Sequence, residues 1–499
     1  MSTSCPQQYH YLRIYNLYMH KNQINFKRDR LGVRPLFYYH KNGIFLYGTD
    51  IKTILAHPSV KPQVDKQGIA ELILLGPGRT PSHAIFKDIK SLPPATRGYY
   101  DSDTNKLTLR KYWELTDKPH TDSFEETKQK VRALLIESIE RSLESENIIG
   151  TFLSGGLDSS IISAVANRYL ASKGKKLETF SVDYKDNDKH FRASKFQPNS
   201  DIAYIEEMNS FLGAKHHRIL LDTDELVDAL YDAVDARGLP GMADIDASLL
   251  LFCRKVKPYI DVALSGEGAD EIFGGYPWFR DETIRNIDGF PWAGSLEFRK
   301  SFLKDDFANA IDSNYVQERY RSAITSTHIL QSATPLERRM KEMTNLNLKW
   351  FGQTLFERKH CMSTMAGLAT RLPFCDYRLV EYLYAVPWEY KDYKGREKGL
   401  LREAMTGILP DNVLWRKKSP YPKTHNPAYL TAVSNRLREV ISDSSAPILK
   451  IIKKEALENL LGSQESTPWY GQLMTTPQTI AYFLQINYWL DKYKVEIVD

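Results

Sequence analysis

Thr151-Phe152-Leu153-Ser154-Gly155-Gly156-Leu157-Asp158-Ser159-Ser160 decides how this 499-residue chain is read. Residues 148–153 are short and apolar, flanked by Asn147 and Gly155, and predict a buried strand. Apolar residues then recur at Ile161, Ile162, Val165 and Tyr169, the spacing of a helix. Two glycines between strand and helix let backbone N–H groups face an anion, and the helix N-terminus adds partial positive charge. Ser154, Ser159 and Ser160 supply hydroxyl donors. The Gly-Lys-Ser/Thr ending of a Walker A loop is absent. An ordinary strand–turn–helix corner is the plainer reading; a pyrophosphate cradle is the sharper one.

Working outward, strand and helix patterns alternate. Ser123 and Glu126 form a capping box for a helix with Val131, Leu134, Leu135 and Ile139 on one face. Strands are expected at 178–182, 217–221 and 261–264, and helices at 201–212 (closed by Gly213), 224–236 and 247–257. This alternation predicts a doubly wound parallel sheet, whose ligands bind at the carboxyl ends of the strands. The loop after Leu153 lies there, and so does a second one, Ser265-Gly266-Glu267-Gly268-Ala269-Asp270-Glu271. Its carboxylates could merely favour a helix N-terminus. Beside a phosphate cradle they read better as hard oxygen ligands for Mg²⁺, with Glu267 between two glycines poised against substrate.

Upstream, residues 1–113 are β-rich, with strands expected at 11–18, on either side of the turn within 25–39, and over 97–113. Residues 114–122 are polar and mark a boundary, so 1–113 and 114–499 are expected as two domains. Beyond Pro277 the chain is mainly helical, broken by an extended piece at 371–376 and a basic loop at 415–423. A basic loop is usually solvated; polyphosphate chemistry upstream points one of its lysines into the site. Hydrophobic residues make up 42% and charged residues 26% of the chain, enough for large cores. A net charge of +5 gives no global pull towards nucleic acid or an anionic membrane. No apolar run approaches a membrane span, and no signal-peptide core is present. The four cysteines lie far apart, without metal-ligand spacing, which fits a reducing cytoplasm.

With both loops quoted, the chain closely resembles the glutamine-hydrolysing asparagine synthetases, and the first loop matches the PP-loop of ATP pyrophosphatases. Arg28-Asp29-Arg30-Leu31-Gly32-Val33-Arg34-Pro35, Gly76-Pro77-Gly78-Arg79-Thr80-Pro81 and the loop at Trp415 also look like that family in order and spacing. The resemblance implies an α/β PP-loop synthetase with a helical C-terminal part, preceded by a partial β-rich glutaminase of the Ntn type. It implies activation of aspartate by ATP, attack of ammonia on aspartyl-AMP, and release of asparagine, AMP and pyrophosphate. Ser154, Gly155, Gly156, Asp158 and Ser159 would hold pyrophosphate, and Leu153, Val182, Ser265 and Gly266 the adenosine. Glu267 would be the general base, Asp158 and Asp270 would hold Mg²⁺, and Lys418, with Lys417 as its nearest competitor, would meet the leaving pyrophosphate. The resemblance leaves room for a homodimer.

Two departures from the family shape the expectations. Ala369 stands where an acidic residue is usual, which bears on local packing or the aspartate pocket. The family's glutaminase begins Met-Cys-Gly, with an N-terminal cysteine as nucleophile, whereas this chain begins Met1-Ser2-Thr3-Ser4-Cys5. Of the glutamine-contacting residues only Asp29 has a match. A truncated glutaminase follows as the expectation, with ammonia as donor, glutamine serving only through a complete or separate glutaminase, and the strands at 36–39 and 44–47 poorly covered. A relative that activates another carboxylate, such as a β-lactam or macrocycle synthetase, and a non-catalytic fragment are the competing readings.

Overall fold

The computed structural model describes residues 18–20, 23–145, 147–191, 200–463 and 468–499. Ser2, Cys5 and residues 11–17 of the first expected strand lie outside them. The centre is a five-stranded parallel sheet in the order Lys215–Leu221, Glu178–Tyr184, Ile149–Phe152, Val262–Leu264, Ala369–Arg371. The chain lays two strands outward in one direction from Ile149–Phe152, then returns to its other side with Val262–Leu264. The order therefore reverses between these two strands, where doubly wound sheets open a crevice for ligands. Both motif loops leave the sheet at that point.

Side-chain alternation feeds a separate core on each face of the sheet. Ile149, Leu153, Val262 and Leu264 join Val131, Leu135, Ile139, Ile161, Ile162 and Val165 on one side. Phe152, Phe180 and Ala263 join the helices Thr223–Arg237 and Asp244–Val256 on the other. The expected capping box is present: Ser123 accepts from Glu126 N, and Glu126 accepts from Ser123 N, opening the helix Phe124–Arg141. Gly213 closes Ile202–Leu212 at φ 57°, a left-handed conformation that glycine adopts without steric cost.

Three expectations need correction. The extended piece expected at 371–376 is displaced: Ala369–Arg371 is the fifth strand, too short to show a period in sequence, and Pro373–Cys375 is a 3-10 turn. Ala369 is exposed and pairs with Val262, whereas the carboxyl ends meet at Arg371 and Leu264. Its missing carboxylate thus bears on the far end of the sheet and not on the ligand crevice. The β-rich part is also better covered than expected at Phe37 and Tyr39, whereas residues 44–47 are half-buried. It forms a four-stranded antiparallel sheet (Tyr18–His20, Gln23–Lys27, Thr96–Asp101, Lys106–Lys111) and a three-stranded one (Ile44–Gly48, Phe37–Lys41, Ile89–Ser91). Phe37 and Tyr39 are buried in one core with Ile51, Ile73, Tyr482 and Trp489. The helix Thr476–Lys492, some four hundred residues away in sequence, packs on the same part at other points: its Tyr482 hydroxyl donates to the Leu72 carbonyl at 2.7 Å, and the Trp489 ring lies 5.2 Å from that of Phe86.

Candidate active site

A cavity of about 260 Å³ opens at the switch point of the sheet. Its first wall is the loop after Phe152. Gly155 sits at φ +67°, and a Cβ there would lie 2.8 Å from Tyr204 Cβ and 2.9 Å from Ile205 N, so a side chain is excluded twice over. Ser154 and Ser159 hold each other, hydroxyl to hydroxyl at 3.0 Å, and Ser154 N donates to Ser159 Oγ at 3.1 Å. Gly156 caps the helix Leu157–Ser172 without a side-chain acceptor, leaving the first-turn N–H groups and the helix dipole to an incoming anion. Arg416 fixes the loop from outside, donating to the Gly155 carbonyl at 3.0 Å and pairing with Asp201.

The second wall is the loop after Leu264. It brings Asp270 to Asp158, and one buried side chain joins them: Lys398 Nζ lies 2.6 Å from Asp158 Oδ2 and 2.6 Å from Asp270 Oδ1. Lys418 pairs with Asp270 Oδ2. Burial pushes the Asp270 carboxyl up, but Lys398 and Lys418 outweigh it and hold the group well below the usual carboxylate range. For Asp158 burial prevails, aided by Asp270, and the carboxyl is raised despite Lys398. Lys398 is itself raised: burial disfavours its charge, and the two carboxylates more than compensate. Asp158 Oδ1 remains buried with no hydrogen-bond donor. An unsatisfied buried carboxylate oxygen is a hard donor of the kind a divalent cation takes, so Asp158 fits Mg²⁺.

Glu267 stands between these carboxylates and the helix Gly352–Met365. Its Oε1 meets Lys359 Nζ at 2.9 Å and an Arg358 nitrogen at 3.9 Å, while Oε2 is buried without a partner. Burial raises its pKa, but Lys359 and then Arg358 outweigh that, leaving Glu267 below the usual glutamate range and ionised at neutral pH. Leu153, Val182, Phe180, Met242, Leu249 and Phe252 add apolar lining to the cavity.

Of the residues singled out from sequence, Leu153, Ser154, Gly156, Asp158, Ser159, Val182, Ser265, Gly266, Glu267, Asp270, Lys417 and Lys418 all line this one cavity. Gly155 shapes the turn behind it. Asp29 lies apart, its carboxylate accepting Val33 N and Arg34 N at 3.0 Å each to close its own loop. The sequence reading missed Lys398, Arg358 and Lys359. Each sits in a charged run, Arg396-Glu397-Lys398 or Glu357-Arg358-Lys359, that reads as a solvated helix face.

Two carboxylate-bearing loops close on one buried lysine beside the glycine turn, and comparison with known sequences fixes the family. The asparagine synthase pattern matches residues 130–491. The chain belongs to the asparagine synthase family. A glutamine amidotransferase domain pattern matches residues 11–113. The chain is 45% identical over 482 residues to "Asparagine synthetase [glutamine-hydrolyzing] 3" of Bacillus subtilis, covering 96% of this chain and 78% of that relative. It is also 24% identical over 453 residues to "Asparagine synthetase [glutamine-hydrolyzing] 1" of the same organism, covering 84% of this chain and 68% of the relative. All residues lining the cavity lie within residues 130–491, the part that matches the asparagine synthase pattern. Among the described residues no helix is long and apolar enough to cross a membrane.

Proposed function

We propose that this chain makes asparagine from aspartate and ATP, with aspartyl-AMP as intermediate and AMP and pyrophosphate as products. The observation that carries the reading is the convergence of both motif loops, through Lys398, on one cavity that also holds Glu267. The cradle of Ser154, Gly156, Ser159 and the first-turn N–H groups receives the β- and γ-phosphates, and the apolar lining at Leu153 and Val182 receives the adenosine. Asp158 and Asp270 would hold Mg²⁺, which supplies charge neutralisation at the phosphates when bound. Lys418 reaches in from the 415–423 loop and compensates charge growing on the departing pyrophosphate, a positioned cation of the kind that speeds phosphoryl chemistry. The side-chain carboxyl of aspartate attacks the α-phosphorus, and ammonia then attacks the activated carbonyl carbon. Glu267, ionised and with Oε2 unoccupied by any donor, takes the proton from the attacking nitrogen.

We further propose ammonia as the nitrogen donor for this chain on its own, because the one residue matching a glutamine contact, Asp29, is occupied in its own turn. The test is asparagine formation by the purified chain from aspartate, Mg²⁺ and ATP with either ammonium chloride or glutamine. Product with ammonium, rising with pH as ammonium deprotonates, is the expected result. Product from glutamine would overturn the donor assignment alone, and product from neither would overturn the synthetase reading.

A further inference from the structure

The end of the cavity beyond Glu267 carries more positive charge than the chain itself compensates. Arg358 and Lys359 are 4% and 2% exposed, and both line the cavity. Lys359 has a full partner in Glu267 Oε1 at 2.9 Å, with its ammonium 4.7 Å from the centre of the Phe152 ring. Arg358 has none of comparable quality. Its nearest carboxylate oxygen is the same Glu267 Oε1, at 3.9 Å, beyond hydrogen-bonding reach, and its Nε is buried without an acceptor. Among the described residues no other carboxylate forms an ion pair with it. The guanidinium carbon lies 4.9 Å from the centre of the Tyr421 ring, a cation–π contact that helps to hold the side chain in the cavity wall.

A buried guanidinium without a hydrogen-bonded anion is costly, and a bound carboxylate would complete it with two parallel N–H···O bonds. The site already has a negative group for the proton at Glu267 and a cation for the departing pyrophosphate at Lys418, so Arg358 is not needed to meet phosphate. We propose that Arg358 is the specificity-determining residue of the site, receiving the non-reacting α-carboxylate of the acidic amino acid while the other carboxyl is activated beside Glu267. This rests on the synthetase reading above and names the feature of the substrate that the site recognises. Lys359 serves beside it as a positioning residue, holding Glu267 by Oε1 so that Oε2 remains for the attacking nitrogen.

The test compares aspartate with 3-aminopropanoate, which is aspartate lacking the α-carboxylate. Aspartate-dependent exchange of pyrophosphate into ATP gives the KM for aspartate, and competition against aspartate gives the inhibition constant of 3-aminopropanoate. Arg358→Met should raise the aspartate KM on the order of 10- to 100-fold, the range for one charged hydrogen-bonding partner. The 3-aminopropanoate constant should stay within about threefold of wild type, so the ratio of the two collapses. Arg358→Lys, which keeps the charge but loses the fork, should fall between. ATP affinity by calorimetry should hold in both variants, reporting that the cradle is still folded. A ratio unchanged from wild type, or a parallel loss of both acids and ATP, would overturn the assignment. Failure of the wild-type chain itself to show aspartate-dependent exchange would instead overturn the function reading.

Discussion

Glu267 holds the most demanding position in the cavity, because it must stay ionised while buried. Lys359 and Arg358 make that tenable, and they also keep its carboxyl from being a strong base. Glu267→Gln should therefore abolish asparagine formation while Mg²⁺-ATP still binds; turnover near the wild-type rate, measured by product formation, would remove it from the mechanism. Lys398 is a different kind of residue, a buried cation bridging two carboxylates. Lys398→Met should leave Asp158 and Asp270 repelling each other in a buried site, a loss on the order of 3–5 kcal/mol in denaturant unfolding. Nucleotide affinity should fall as well. If unfolding is unchanged, the bridge is not a stabilising contact. Glu267 was legible in sequence because a glutamate between glycines has few structural reasons to exist. Lys398 was not, since its partners stand 128 and 240 residues upstream and nothing local distinguishes it from a surface lysine.

Among the elements, the helix Gly352–Met365 does most to join the parts of the chain. Successive residues are about 100° apart around a helix, so neighbours in sequence face different partners. Gln353 accepts from Arg28 of the β-rich part at 3.1 Å, Glu357 takes Arg79 and Arg237, and Arg358 and Lys359 face the cavity. Burial pushes the Glu357 carboxyl up, but Arg79 and Arg237 more than reverse this and bring it from 4.5 to about 2. A carboxyl with a depressed folded pKa stabilises the native state above its unfolded value, and the contribution disappears as pH falls through the folded value. Full depression corresponds to about 3 kcal/mol at neutral pH, falling to about half by pH 3. Denaturant unfolding of wild type and Glu357→Gln should show a gap of that size at neutral pH, narrowing below about pH 4.5. A gap independent of pH would mean that Glu357 acts by packing alone. Hydropathy conceals this helix, because Glu357, Arg358 and Lys359 look solvated until their partners are known.

Across the whole molecule, two structural principles divide the labour. The parallel sheet, with its reversal between Ile149–Phe152 and Val262–Leu264, was readable because short apolar runs such as these alternate with periodic helices. The way the β-rich part is covered was not readable. It depends on Tyr482 and Trp489 reaching Leu72 and Phe86 from the far end of the chain, through contacts that leave no local pattern. Hence the short strand at Ala369 and the packing on Leu72 and Phe86 both escaped the sequence, while the two motif loops did not. The β-rich part and the sheet are tied through Arg28, Arg79 and the shared core, so the cavity is built on a frame larger than the sheet alone.

The central claim is that this cavity transfers an adenylyl group to the side-chain carboxyl of aspartate before nitrogen arrives. Aspartate labelled with ¹⁸O in that carboxyl, incubated with the chain, ATP, Mg²⁺ and ammonium, tests it most directly by mass spectrometry of the nucleotide product. The prediction is one labelled oxygen in the phosphate of AMP for each asparagine formed, with pyrophosphate unlabelled. Formation of ADP, or of asparagine with label in inorganic phosphate or pyrophosphate, would contradict it.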